Sequence, residues 1–140
     1  MIQLKSLDEI YLMRDAAQLV SKTLGMLAKE VQPGVTTNYL DKLAYQFIKD
    51  HGAEPVFLGY GGFPNSLCMS PNEQVVHGIP NDAPLKDGDI ISIDCGTFLN
   101  GFVGDHAYTF EVGEVAPQVK KLLKISKESL YKGIEQCVRG

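Results

Sequence analysis

The stretch Asn72–Phe110, NEQVVHGIPNDAPLKDGDIISIDCGTFLNGFVGDHAYTF, decides the fold. Within it, Ile90 to Thr97 alternates. Ile91, Ile93 and Cys95 fall on one face, and Ser92, Asp94 and Gly96 on the other, which is the period of a strand with one buried side. Leu99-Asn100-Gly101-Phe102 follows. Asn-Gly is the strongest short hairpin signal, because both residues tolerate the left-handed backbone that a type I′ turn requires. Phe102 to Val112 therefore reads as the returning strand. Two acids, Asp94 and Asp105, sit in these otherwise apolar strands. Buried acids call for a cation or a partner.

Hairpin arithmetic relates the two acids. With Asn100-Gly101 as a two-residue loop, Leu99 opposes Phe102, Asp94 opposes Ala107 and Gly96 opposes Asp105. Both carboxylates then point to one face of the sheet. Their Cβ atoms become diagonal neighbours, roughly 7 Å apart or less. Two carboxylates this close repel, and left alone one of them holds its proton. A pair of divalent cations, roughly 3.5–4 Å apart, would relieve the repulsion. Oxygen ligands favour hard or borderline ions such as manganese, iron, cobalt or zinc. The alternative is a wet hairpin edge on which both carboxylates are merely solvated. A bulge at Gly104 would change the register. By the same alternation His106 points away from Asp105, which fits a structural role better than a ligand's.

Working outward, His77 ends the short apolar run Val75-Val76, where a strand is expected to meet a loop. Functional side chains are frequent at such places. Upstream, Pro55 to Pro71 mixes Phe57, Tyr60 and Phe63 with Gly59, Gly61 and Gly62. It lacks both GxGxxG and GK[ST], so it is neither a dinucleotide fingerprint nor a P-loop. It reads either as a strand and turn on the core or as the wall of an apolar pocket.

Ser6-Leu7-Asp8-Glu9 reads as a capping box. It opens a helix whose stripe is Ile10, Met13, Ala17, Val20, Leu24, Leu27 and Val31, stopped by Pro33-Gly34. Thr36 or Thr37 caps a second helix with Leu40, Leu43, Ala44, Phe47 and Ile48 on one face. Gly52 follows as its C′ residue. His51 reads as a surface residue at that helix end. Pro117 starts a third helix running to Val138, with Val119, Leu122, Leu123, Leu130, Ile134 and Cys137 as its stripe and Gly140 placed as a C′ residue.

The length of 140 residues suits a single domain with a real core. A net charge of −4 argues against a nucleic-acid partner. Lys120, Lys121, Lys124 and Lys127 recur at helical spacing, as a solvated face does. Cys68, Cys95 and Cys137 are three cysteines without a CxxC, so neither a disulfide framework nor a zinc knuckle is expected. The N-terminus lacks a signal-peptide core, and no run approaches the ~18 apolar residues of a membrane span. A cytoplasmic protein with no membrane partner is expected.

NEQVVHGIP, LKDGDIISID and NGFVGDHAYTFEVGE together resemble the first half of a type I methionine aminopeptidase. LDEIYLMRDAAQLV, PGVTTNYLD and GYGGFPNSLCMSPNE resemble that family's earlier segments, and the likeness runs from near the N-terminus to Gly140. The resemblance implies an α/β (α+β) pita-bread fold, in which two pseudo-symmetric halves surround a curved antiparallel sheet and a dinuclear metal site. Residues 1–140 would be a single domain, the N-terminal portion of that peptidase domain, cut at Gly140. It would comprise two N-terminal helices, a sheet with a β-hairpin, and one following helix.

The resemblance implies that Asp94 holds one divalent ion and that Asp105 bridges two, with cobalt, manganese, iron or zinc left open. It makes His77 the catalytic residue that contacts the substrate, and Tyr60, Phe63 and Cys68 the lining of a methionine side-chain pocket. The implied substrates are the N-terminal Met-peptides of nascent proteins, cleaved by metal-assisted hydrolysis. Two departures stand out: His106 replaces a usual Thr or Ser, and Gly61 replaces a bulkier residue. The family's remaining ligands, a histidine and two glutamates, come from a second half. The 140 residues alone are therefore expected to be inactive and to self-associate through an uncovered sheet. The rival readings are a proline-specific peptidase of the same superfamily, which NEQVVHGIP fits less well, and a non-catalytic pita-bread module that binds a partner protein.

Overall fold

A computed structural model describes residues 3–138. Helix α1 (Leu7–Leu27) begins at Ser6, whose hydroxyl accepts from the Glu9 amide at 3.2 Å while the Glu9 carboxylate accepts from the Ser6 amide at 2.7 Å. This is the capping box read from the sequence. Helix α2 (Thr37–Asp50) is capped by Thr36 and closed by Gly52 in left-handed backbone, φ 72°. Strand β1 (Glu54–Pro55), a short 3-10 turn (Tyr60–Gly62) and β2 (Leu67–Pro71) follow. The hairpin β3 (Ile90–Leu99) and β4 (Phe102–Glu111) leads to helix α3 (Pro117–Glu135). No helix among the described residues is long and apolar enough to cross a membrane.

The four-stranded sheet is antiparallel throughout and is built around β3. β1 and β2 pair with successive parts of β3, at Thr97–Phe98 and Ile91–Cys95, and so share one of its edges. β4 covers the other edge along its whole length, from Leu99↔Phe102 to Ile90↔Glu111. There is no bulge at Gly104, which opposes Thr97.

The core lies between one face of this sheet and the two N-terminal helices. Ile91, Ile93 and Cys95 are fully buried against Leu19, Val20, Leu24 and Leu27 of α1 and Leu40, Ala44 and Ile48 of α2. Helix α1 sits very close to the hairpin. The Thr97 hydroxyl donates to the Ala16 carbonyl at 3.0 Å. A Cβ on Gly104 would lie 2.5 Å from backbone atoms of Ala16 and Ala17. Gly104 is thus required by close approach of two backbones.

Three expectations are corrected. The buried face of α1 is Ala16, Leu19, Val20, Thr23, Leu24 and Leu27, while Ile10, Met13 and Ala17 are exposed. The first turns carry no buried residue, and the helix ends at Leu27 because Glu30 and Val31 both donate back to the Leu27 carbonyl in a closing turn. Val75-Val76 forms no strand. Asn72 and Val76 both have left-handed backbone, φ 51° and 46°, which turns the chain out of the sheet after Pro71. Helix α3 ends at Glu135 rather than Val138, and its stripe packs on no core: Leu122, Leu130 and Ile134 are all more than half exposed. Gly140 lies outside the described residues.

The turn before β3 is tied by Asp89. Its carboxylate accepts from the Lys86 amide at 2.8 Å and from the Asn72 side-chain amide at 2.9 Å. These bonds, the Asn72 one foremost, hold its pKa below the usual carboxylate range. A depressed folded-state pKa contributes stability that is present above the unfolded value, about 3.9, and is lost as pH falls through the folded one. The stability difference between wild type and Asp89→Asn, measured by urea melts, is therefore expected to shrink as pH falls below about 4. The same melts distinguish two glycines. Gly104→Ala forces α1 off the hairpin and should cost toward the upper end of about 1–3 kcal/mol. Gly25→Ala, in α1 with open space around it, should gain roughly 0.5–1 kcal/mol.

Candidate metal centre

Asp94 and Asp105 occupy the places that the hairpin arithmetic assigns. Asp94 opposes Ala107 and Gly96 opposes Asp105, so the two carboxylates share the face turned away from the core. From the other edge, β2 sets Cys68 directly opposite Asp94. A Cβ on Gly96 would lie 2.4 Å from Val56 and 2.8 Å from the Phe57 ring. Those two side chains therefore close over the sheet beside the acids, and glycine makes room for them.

The two acids differ in surroundings. Asp94 is half-buried and Asp105 is exposed, so neither is as fully buried as the sequence suggested, although one Asp94 oxygen is wholly covered. Asp105 lies on β4, which has a neighbour on one side only among the described strands. Burial raises the Asp94 pKa first, and the adjacent Asp105 carboxylate raises it further, with the His77 ring offsetting part of the rise. One Asp94 oxygen, Oδ1, is buried with no hydrogen-bond partner. A buried, unpartnered carboxylate oxygen beside a second carboxylate is the donor set that a hard or borderline cation satisfies. Among the described residues, no three His, Cys, Asp or Glu side chains are arranged to hold a metal ion by themselves.

Cys68 is buried, and burial, then Asp94 and Asp105, push its thiol up to about 11. Cys95, on the core side, is pushed up to about 12 by the same causes in the same order. Both stay protonated near neutral pH and behave as small apolar groups. A groove of about 930 Å³ runs along this part of the sheet, bounded by Cys68, Ser92, Asp94, Thr109 and the α3 residues Leu123 and Lys127.

His77 is exposed on the loop after β2. Tyr60 is exposed in its 3-10 turn and Phe63 is half-buried; neither they nor His77 and Asp105 line the groove. The structure therefore brings Asp94, Asp105 and Cys68 together, with His77 near enough to affect Asp94. Tyr60 and Phe63 stand apart from the groove. His106 opposes Cys95, is exposed, and contributes to the groove lining. His51 packs its ring on Phe47, with centroids 4.3 Å apart, at the end of α2.

Two features escape the sequence reading. The Ser92 and Thr109 hydroxyls bond at 2.8 Å on the same face as Asp94. Asp41 of α2 is buried and fixes the approach to β2, accepting from the Ser66 and Leu67 amides at 3.0 and 2.9 Å and from the Asn65 side chain at 3.0 Å. An acid amid the apolar positions of α2 was its only signal.

Comparison with known proteins follows the same outline. A methionine aminopeptidase of Clostridium acetobutylicum is 53% identical over this whole chain, which covers 56% of that protein. Methionine aminopeptidase 1 of Bacillus subtilis is 49% identical, again over the whole chain and 56% of its own length. The crystal structure of methionine aminopeptidase from Thermotoga maritima superposes with a TM-score of 0.96 at 37% identity, covering 100% of this chain and 57% of that one. The chain spans about half the length of the relatives it matches, and its helices and sheet have the architecture of the corresponding part of the pita-bread fold. The model of metallopeptidase family M24 matches residues 11–140, and the chain belongs to that family.

Proposed function

We propose that the complete protein removes N-terminal methionine from nascent proteins by metal-assisted peptide hydrolysis in the cytoplasm. Residues 1–140 are one domain, the N-terminal portion of its pita-bread peptidase domain. The observation that carries this reading is the Asp94–Asp105 pair: two carboxylates on one sheet face, one with a buried oxygen that nothing satisfies, in a chain of a metallopeptidase family. Relatives named methionine aminopeptidase, alike over the whole chain, supply the substrate class. Proline-specific peptidases share the fold at only 20–24% identity, which says nothing of their substrate here, and a pure binding module has no use for two crowded acids.

Asp94 and Asp105 would hold two divalent ions, chosen from cobalt, manganese, iron and zinc. Divalent metal supplies Lewis-acid polarisation of the scissile carbonyl and acidifies the attacking water. The chain's own residues do the rest. His77 hydrogen-bonds the scissile amide and steadies the charge that develops there. The neutral Cys68 thiol would contact the unbranched thioether of methionine from the groove, a pairing of soft and apolar groups, and Tyr60 and Phe63, which lie outside the groove, would line the pocket from the loop before β2. The other ligands are those of the second half that the relatives possess.

Isothermal titration with manganese or cobalt checks the ligand assignment. Wild type should bind weakly and Asp94→Asn not at all; equal binding by both would contradict it. The 140-residue chain alone should leave a Met-Xaa peptide intact in the presence of either metal. Supplied with the second half of the Bacillus subtilis relative, it should release methionine, with His77→Ala lowering kcat by roughly 10²–10³. Robust turnover by the isolated chain would overturn the half-site reading.

A further inference from the structure

The loop that carries His77 is held in an uncommon way. Val76, the residue before it, has left-handed backbone at φ 46°. A β-branched residue rarely adopts this conformation, and one that does is over-determined by its surroundings. The Val76 side chain is not what determines it, since it is 59% exposed. The determining contacts are made by the backbone on both sides of His77. The Ser70 hydroxyl donates to the Val76 carbonyl and accepts from the Gly78 amide at 3.1 Å. The Gly78 amide also faces the Val76 carbonyl, and the Gly78 carbonyl accepts from the Met69 amide at 2.8 Å. A Cβ on Gly78 would lie 2.1 Å from the Met69 carbonyl oxygen, so glycine is needed for this seating. Ser70 itself is 3% exposed, on the strand that places Cys68 opposite Asp94.

We infer that Ser70 is a positioning residue: its single buried hydroxyl bridges the peptide groups flanking His77 and so presents the imidazole toward Asp94. One hydroxyl serves as donor on one side of His77 and acceptor on the other, which fixes the loop at two points with one side chain. Alanine would remove the Ser70 donor from the Val76 carbonyl, leaving it only the Gly78 amide, and so cut the strained backbone loose from β2. The inference rests on His77 as the substrate-contacting group only for its catalytic meaning; the positioning itself is a property of the chain.

NMR of the uniformly ¹³C,¹⁵N-labelled 140-residue chain tests it without reference to activity. In wild type the His77 ring should give one dispersed Cε1–Hε1 peak with cross-relaxation to β2 and β3. In Ser70→Ala that peak should move to the position of an unconstrained histidine and lose those contacts, while the Ile91 and Ile93 methyl peaks stay in place. Ser70→Thr, which keeps the hydroxyl, should restore the wild-type peak. An unmoved His77 peak in Ser70→Ala, or an unconstrained one in wild type, would overturn the inference. Val76→Gly covers the case in which Ser70→Ala does not fold. It keeps the bridge and relieves the backbone, so the His77 peak should stay put; its collapse would assign the loop to the valine side chain and overturn the role of Ser70. A seated His77 together with no methionine release by the completed enzyme would refute the proposed activity and leave the positioning intact.

Discussion

Both residues of the turn between β3 and β4 have left-handed backbone, Asn100 at φ 52° and Gly101 at φ 86°. This geometry matches the twist of the flanking strands and allows one pairing register. A slip of one residue would turn every side chain of β4 to the opposite face. Asp105 would then leave the side of Asp94, and a residue with a Cβ would replace Gly104 beneath α1. The close seating of α1 and the pairing of the two acids are thus consequences of one short turn. Each supports the other: Gly104 fits under Ala16 and Ala17 only in the register that puts Asp105 next to Asp94.

That register carries an electrostatic cost. Burial and the neighbouring acid both disfavour the charged form of Asp94, and its inner oxygen has no donor. A structure selected for stability alone would place an apolar residue or a hydrogen-bonded one there. Asp41 shows the contrast within the same chain. It is more deeply buried than Asp94, yet three N–H donors satisfy it and it anchors the loop into β2. The difference between a satisfied and an unsatisfied carboxylate separates a structural acid from one awaiting a ligand.

How much of this the sequence reveals depends on how local the cause is. The hairpin, the capping box at Ser6 and the left-handed Gly52 are encoded within a few neighbouring residues, and all three stand where the pattern puts them. The burial of α3 is not local. A 3.6-residue apolar period records that a helix has a sticky face, not what it meets, and here that face meets no core among the described residues. The missing strand at Val75-Val76 has the same origin. Two β-branched residues favour a strand, but the bonds of Ser70 and the left-handed turns at Asn72 and Val76 override them. Of the expected site, the acids were legible through register and Cys68 only through resemblance. Tyr60 and Phe63 came from resemblance as well, and the fold sets them outside the groove.

The central claim is that Asp94 and Asp105 act together as one cation site. Aspartate labelled with ¹³C at its carboxyl carbon, observed while manganese(II) is added in substoichiometric steps, reads each acid separately through paramagnetic broadening. The Asp94 and Asp105 carboxyl signals should broaden first and in parallel, while those of Asp41 and Asp89 stay sharp. Broadening that begins at other aspartates, or that strikes one of the pair and spares its neighbour, would contradict it.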